Sequence, residues 1–275
     1  MLLSLGMYQY LSYMLRGTSF LIMFVLIIYL VAGLLSVLPA RNIYFHNPAN
    51  MELLTLSQRF LEKVKKGEPS LVMEQKLSTL EKQQLLKGLA DDATKKTFWI
   101  NMYNAWYQLL AMREQLKRPE IFNKKVILVA GTRFSLDDME HGILRKYRWK
   151  YSMGYFPSFF PGKLIKQLAV STIDYRIHFA LNCGAKSCPP ILFYSYDNIQ
   201  EQLNMATRSF LRSETEIDES KKEVRVSKIM DWFRGDFGGK KGIRRIIGDI
   251  FEKDFKGYTL EFKSYDWDIK LRNFQ

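Results

Sequence analysis

Leu53, Leu56, Phe60, Leu61 and Val64 fall on one face of a 3.6-residue turn, which predicts a helix from residue 51 to about 66. Gly67 and Pro69 end it. Ser78-Thr79-Leu80-Glu81 reads as a capping box, predicting a second helix that runs to about Gly88. The longest helix is predicted over 93–114. Phe98, Trp99, Met102, Tyr103, Trp106, Leu109 and Leu110 wrap most of its surface, as in a helix buried nearly all round. Asn101, Asn104 and Gln108 form one narrow polar stripe on it.

The second half mixes periods. Strands are predicted at 125–130, 175–183, 223–228 and 258–263, and a polar hairpin at 214–229. Ser135 is placed to cap a helix that carries Glu140 and His141, adjacent residues whose side chains diverge by about 100° on an α-helix. Further helices are predicted at 163–168 and 197–212, and a basic one after a Gly-rich turn near 235–242. That turn lacks the spacing of a phosphate loop. The pattern is that of an α+β fold, with a helical first half and a small mixed sheet. Residues 146–161, KYRWKYSMGYFPSFFP, are an aromatic and basic loop of the length expected for a lid or binding loop.

The N-terminus differs from the rest. Residues 19–38 carry no charge, and twenty residues at about 1.5 Å each span about 30 Å, the thickness of a bilayer core. A single-pass membrane anchor within residues 1–40 is expected. The alternative is a cleaved signal peptide, against which the apolar run is too long and Leu38 occupies a position where a small residue is needed. Residues 41–50, with His46, form a linker, and 51–275 a single globular domain.

Lysine and arginine total 41 against 28 acidic residues, a formal charge of +13. This favours anionic partners such as lipid headgroups or acidic glycans. No zinc-finger spacing, helix-turn-helix or ribonucleoprotein motif is present, so specific nucleic-acid binding is not expected. Nor are a metal or cofactor.

Candidate chemistry gathers at HFALNCGAKSCPP, residues 178–190, which holds both cysteines and one of the three histidines. Cys183 lies where a predicted strand runs into a Gly-containing loop. Lys186 adds positive charge that favours a thiolate, and the N–H groups after Gly184 offer an oxyanion site. The plain alternative is a small buried apolar residue. A bridge between Cys183 and Cys188 requires the loop to fold back tightly. Asn101 and Asn104 either tie down a neighbouring loop or line a cleft and orient a reacting carbonyl. His141 is one of few candidates for a base.

FWINMYNAW, FSLDDMEHGILR, YRIHFALNCGAKSCPP and YDWDIK resemble, in order and spacing, the motifs of the family catalogued as domain of unknown function 547, over roughly residues 75–270. The resemblance implies an α+β fold, export or membrane attachment, and a cleft with a cysteine-peptidase-like set. Carried over, that set is Cys183, His141 and Glu140, with Asn101 on the helix. Two functions are expected to compete. One is a thiol-dependent hydrolase or acyltransferase, with Cys183 attacking, His141 taking the proton and Asn101 helping to hold the oxyanion. The other is a membrane-tethered module that binds a peptide, glycan or other anionic ligand without chemistry. In either case the domain is expected to be extracytoplasmic, in the periplasm.

Overall fold

A computed structural model describes residues 48–275, and the predicted anchor at 19–38 and His46 lie outside them. The described residues form one compact unit. Helix α1 (Pro48–Lys66) begins inside the stretch read as linker. It packs along the longest helix, with the rings of Phe60 and Trp106 5.4 Å apart. Two short helices follow, α2 (Leu71–Thr79) and α3 (Lys82–Gly88). The capping box at Ser78 is not formed. Ser78 sits in the last turn of α2 and its hydroxyl donates to the Gln75 carbonyl. The extended residues Leu80 and Glu81 then separate the two helices.

Helix α4 (Asp92–Met112) is the axis of the unit. Asp91 and Thr94 cap it reciprocally: the Asp91 carboxylate accepts from the Thr94 N–H at 2.8 Å, and the Thr94 hydroxyl accepts from the Asp91 N–H. As expected, it is buried on nearly every side. Phe98, Trp99 and Ile100 have no exposed surface, and each large apolar side chain buried this way contributes about 1.5–3 kcal/mol.

After α5 (Glu120–Asn123), strands β1 (Ile127–Val129) and β2 (Thr132–Phe134) form an antiparallel hairpin. The Ser135 cap predicted next is formed. Its hydroxyl accepts from Asp138 N–H, and the Asp138 carboxylate accepts from Ser135 N–H. Helix α6 (Lys163–Leu168) follows the aromatic loop. Helix α7 (Ile199–Glu214) leads into β3 (Glu216–Asp218) and β4 (Glu223–Val226), the predicted hairpin. Helices α8 (Ile229–Trp232) and α9 (Gly239–Phe251) come next, and β5 (Thr259–Phe262) pairs with β4 in parallel. The fold is α+β with small sheets, one of them mixed. Among the described residues no helix is long and apolar enough to cross a membrane.

One predicted strand is absent. Residues Tyr175–Phe179 form a 3-10 turn, started by the Asp174 carboxylate accepting from Arg176 N–H. Its alternating pattern has another use. Ile177, Ala180 and Leu181, at helical spacing, enter the core built on α4, while Phe179 enters a second core under α7, β4 and α9. The segment pins two cores together instead of pairing in a sheet.

Candidate functional site

Two segments carry the candidate catalytic residues of the cleft, and the polar stripe of α4 holds their surroundings in place. Asn104 donates to the Ala180 carbonyl at 2.9 Å and accepts from Asn182 N–H at 2.9 Å. Asn101 does the same for Tyr194, donating to its carbonyl at 2.8 Å and accepting from its N–H at 3.1 Å. Gln108 accepts from Arg272 N–H at 2.9 Å. All three are fully buried and tie down loops. Asn101 therefore faces Tyr194, not the Cys183 loop, and its carboxamide both donates and accepts there. The structure does not bring it to the cleft.

Cys183 and Cys188 are joined by a disulfide, with S–S 2.13 Å. The loop does fold back: Gly184 has φ +68°, and a Cβ there would lie 2.5 Å from the Tyr107 ring, so only glycine fits. The Tyr265 hydroxyl lies 3.1 Å from both sulfurs. Most of the amides offered for an oxyanion are engaged elsewhere: Lys186 N–H donates to the Asp268 carbonyl, Ser187 N–H to the Asp266 carbonyl and Cys188 N–H to the Ala185 carbonyl, while Gly184 N–H donates to Asn182 Oδ1. The Lys186 ammonium is paired with Asp268 at 2.6 Å and gives no support to a thiolate.

The second segment is a helix with wide π-turns, Asp138–Leu144. Its i→i+5 bonding, Arg145 N–H to the Glu140 carbonyl at 2.8 Å, turns adjacent residues by less than an α-helix does. Glu140 and His141 thus line one cleft despite their adjacency, together with Cys183 and Cys188. Burial pushes the Glu140 carboxyl up to about 7. The buried Tyr103 hydroxyl reaches its Oε2 at 3.3 Å.

His141 is less suited to act as a base than its sequence position implied. The Arg145 guanidinium, which can only donate, lies 2.6 Å from Nδ1. The ring proton therefore sits on Nε2, facing Asp137 Oδ1 at 3.5 Å. Burial, and then the nearby Arg145 charge, hold the ring's pKa well below the usual histidine value. Arg145 also donates from Nε to Asp236 Oδ2 at 2.6 Å, in an ion pair with both side chains fully buried. His178 Nε2 meets the same oxygen at 2.9 Å, and its ring stacks on Phe233 with centroids 4.0 Å apart. Burial alone would raise the Asp236 carboxyl, but His178 and Arg145 together bring it below its ordinary range.

The cleft encloses about 180 Å³. Phe122, Trp232, Phe233, Tyr265 and Trp267 form much of its wall. The last two come from the C-terminal strap, where Tyr265 and Trp267 rings pack 4.6 Å apart. His178, Asp236 and this aromatic wall were not among the sequence candidates. Their signals were present: His178 in the cysteine segment, and Tyr265 and Trp267 in the closing YDWDIK motif.

The geometry defines an α+β unit with a disulfide-floored aromatic cleft. A family model described as a protein of unknown function, DUF547, matches residues 86–211, and the chain's resemblance to that family is shown over this stretch, shorter than the 75–270 read from motifs. The match holds Glu140, His141, Cys183 and Asn101 but stops short of the aromatic strap. No curated protein and no solved structure matches the chain.

Proposed function

We propose that the cleft binds a peptide segment, inserting an apolar or aromatic side chain against Trp232 and Trp267 and a hydrogen-bonding group at Glu140. The observation that carries this reading is the state of the reactive groups: Cys183 is bonded to Cys188, and Arg145 occupies the His141 nitrogen that would have to accept a proton. What is left is an aromatic wall and a carboxyl that is half protonated near neutral pH, able to donate or accept. Among the described residues no lysine or arginine lines the cleft, while Asp137 and Glu140 do, so its own charge does not favour an anionic ligand. The module is membrane-tethered if residues 19–38 act as an anchor.

The test is a titration of the full chain with short peptides bearing an aromatic side chain and an amine, followed by tryptophan fluorescence. Saturable quenching, weakened by Trp232→Leu and by Glu140→Gln, is expected. Equal titration curves for parent and Trp232→Leu overturn the reading.

The thiol-dependent hydrolase or acyltransferase stays as a second reading because Cys183, His141 and Glu140 do line one cleft. It requires reduction first. After reduction, ester turnover appears in the parent and is lost in Cys183→Ala, whose remaining thiol is Cys188. If reduced Cys183→Ala turns over ester as fast as the reduced parent, this second reading fails.

A further inference from the structure

We propose that the loop at residues 146–161 seats the domain on an anionic lipid surface. The inference rests on this loop and its flanks, and owes nothing to residues 19–38. Phe156, Phe159 and Phe160 are 64%, 84% and 95% exposed, and Tyr151 and Trp149 are exposed beside them. A soluble surface seldom gathers so many large apolar groups in one short stretch without a partner.

The charge pattern identifies the partner. From Gly142 to Ile173 there is no acidic residue, while Arg145, Lys146, Arg148, Lys150, Lys163 and Lys166 are all basic. Arg145 is buried and Lys150 is paired with Asp137, but Lys163 and Lys166 stand exposed on α6, next in sequence to the two outermost phenylalanines. Aromatic tips flanked by free ammonium groups match the interface of a bilayer, where rings settle at headgroup level and lysines meet lipid phosphates.

The loop is also held in shape. Trp149 N–H donates to the Phe156 carbonyl at 3.0 Å and Ser158 N–H to the Tyr147 carbonyl at 2.7 Å, forming a ribbon. The Ser152 hydroxyl donates to the Trp149 carbonyl inside it. Gly235 N–H donates to the Met153 carbonyl at 2.7 Å, and a Cβ on Gly235 would lie 2.5 Å from the Gly154 backbone. The ribbon is clamped to the body while its phenylalanines point away, so little ordering remains to oppose insertion.

The reporter is Phe160→Trp in the full chain, placed in vesicles of phosphatidylcholine alone or mixed with phosphatidylglycerol. Phe160 supports no core packing, so the fold is unaffected. The added emission is expected to shift to shorter wavelength and be quenched by brominated lipid, more strongly on the anionic vesicles. Adding Lys163→Gln and Lys166→Gln should remove that difference. No shift on either vesicle, or an equal shift on both, overturns the proposal. So does a concentration-dependent shift in lipid-free detergent, which would assign the loop to a second copy of the chain.

Discussion

The guanidinium of Arg145 donates to Nδ1 of His141 at 2.6 Å, placing a fixed cation where a catalytic histidine would ordinarily hold a carboxylate. This one contact sets the tautomer and opposes ring protonation. It predicts that nitrogen NMR of the full chain finds His141 neutral, protonated at Nε2 and bare at Nδ1, at a pH where free histidine is half charged. An Nδ1–H signal at neutral pH would refute the assignment.

Arg145 and Asp236 form an ion pair with no exposed side-chain surface. Removing one member of such a pair leaves the other charged, buried and unpaired. Asp236→Asn is expected to destabilise the domain by about 3–5 kcal/mol in urea unfolding. The exposed Lys186–Asp268 pair offers the contrast: Asp268→Asn should leave the unfolding midpoint unchanged.

Glu140 gives the fold a definite pH dependence. Its folded value of about 7 lies above its ordinary 4.5, so the folded state binds the extra proton between those limits. The stability it contributes is fully present below pH 4.5, declines as pH rises, and is gone above about 7. His141 and His178, held neutral by burial, act oppositely at lower pH, so the comparison must be with Glu140→Gln. The parent should lose up to about 3 kcal/mol relative to that variant between pH 4.5 and 7. Parallel stability curves would show that Glu140 is not held protonated by the fold.

Asn101 and Asn104 are expected to act as structural ties. Alanine at either position orphans a buried N–H and a buried carbonyl, at about 1–3 kcal/mol for each group. Labelling of reduced Cys183 by a small electrophile should survive Asn101→Ala in protein that remains folded. Loss of labelling without loss of stability would return Asn101 to the site.

Much of this was legible because it follows from local pattern. The face of α1, the all-round burial of α4 and the Ser135 cap depend on residues within a few positions of one another. The coarse α+β class and the resemblance of the cysteine segment followed from the same signals. Where reading failed, distant partners decided. Residues 175–181 alternate as a strand does, yet two cores on either side claim their side chains. Ser78 has the spacing of a cap, but a helix already occupies it. The role of Asn101 turned on a backbone 93 residues away, and that of His141 on the Arg145 guanidinium, whose orientation Asp236 fixes from 91 residues away. The predicted membrane span lies outside the described residues.

The C-terminal strap gives the cleft an order of assembly. Lys270 N–H bonds the Gly184 carbonyl, Ile191 N–H bonds the Asn273 carbonyl, and Tyr265 covers both sulfurs from 77 residues beyond Cys188. During synthesis the two cysteines emerge almost together, long before the strap that will cover them. They can pair, or meet an oxidant or a reductant, while their loop is still open to solvent. Once Tyr265 and Trp267 dock, that access narrows to the cleft itself. The redox state of the site is therefore settled most easily in the interval before the strap arrives.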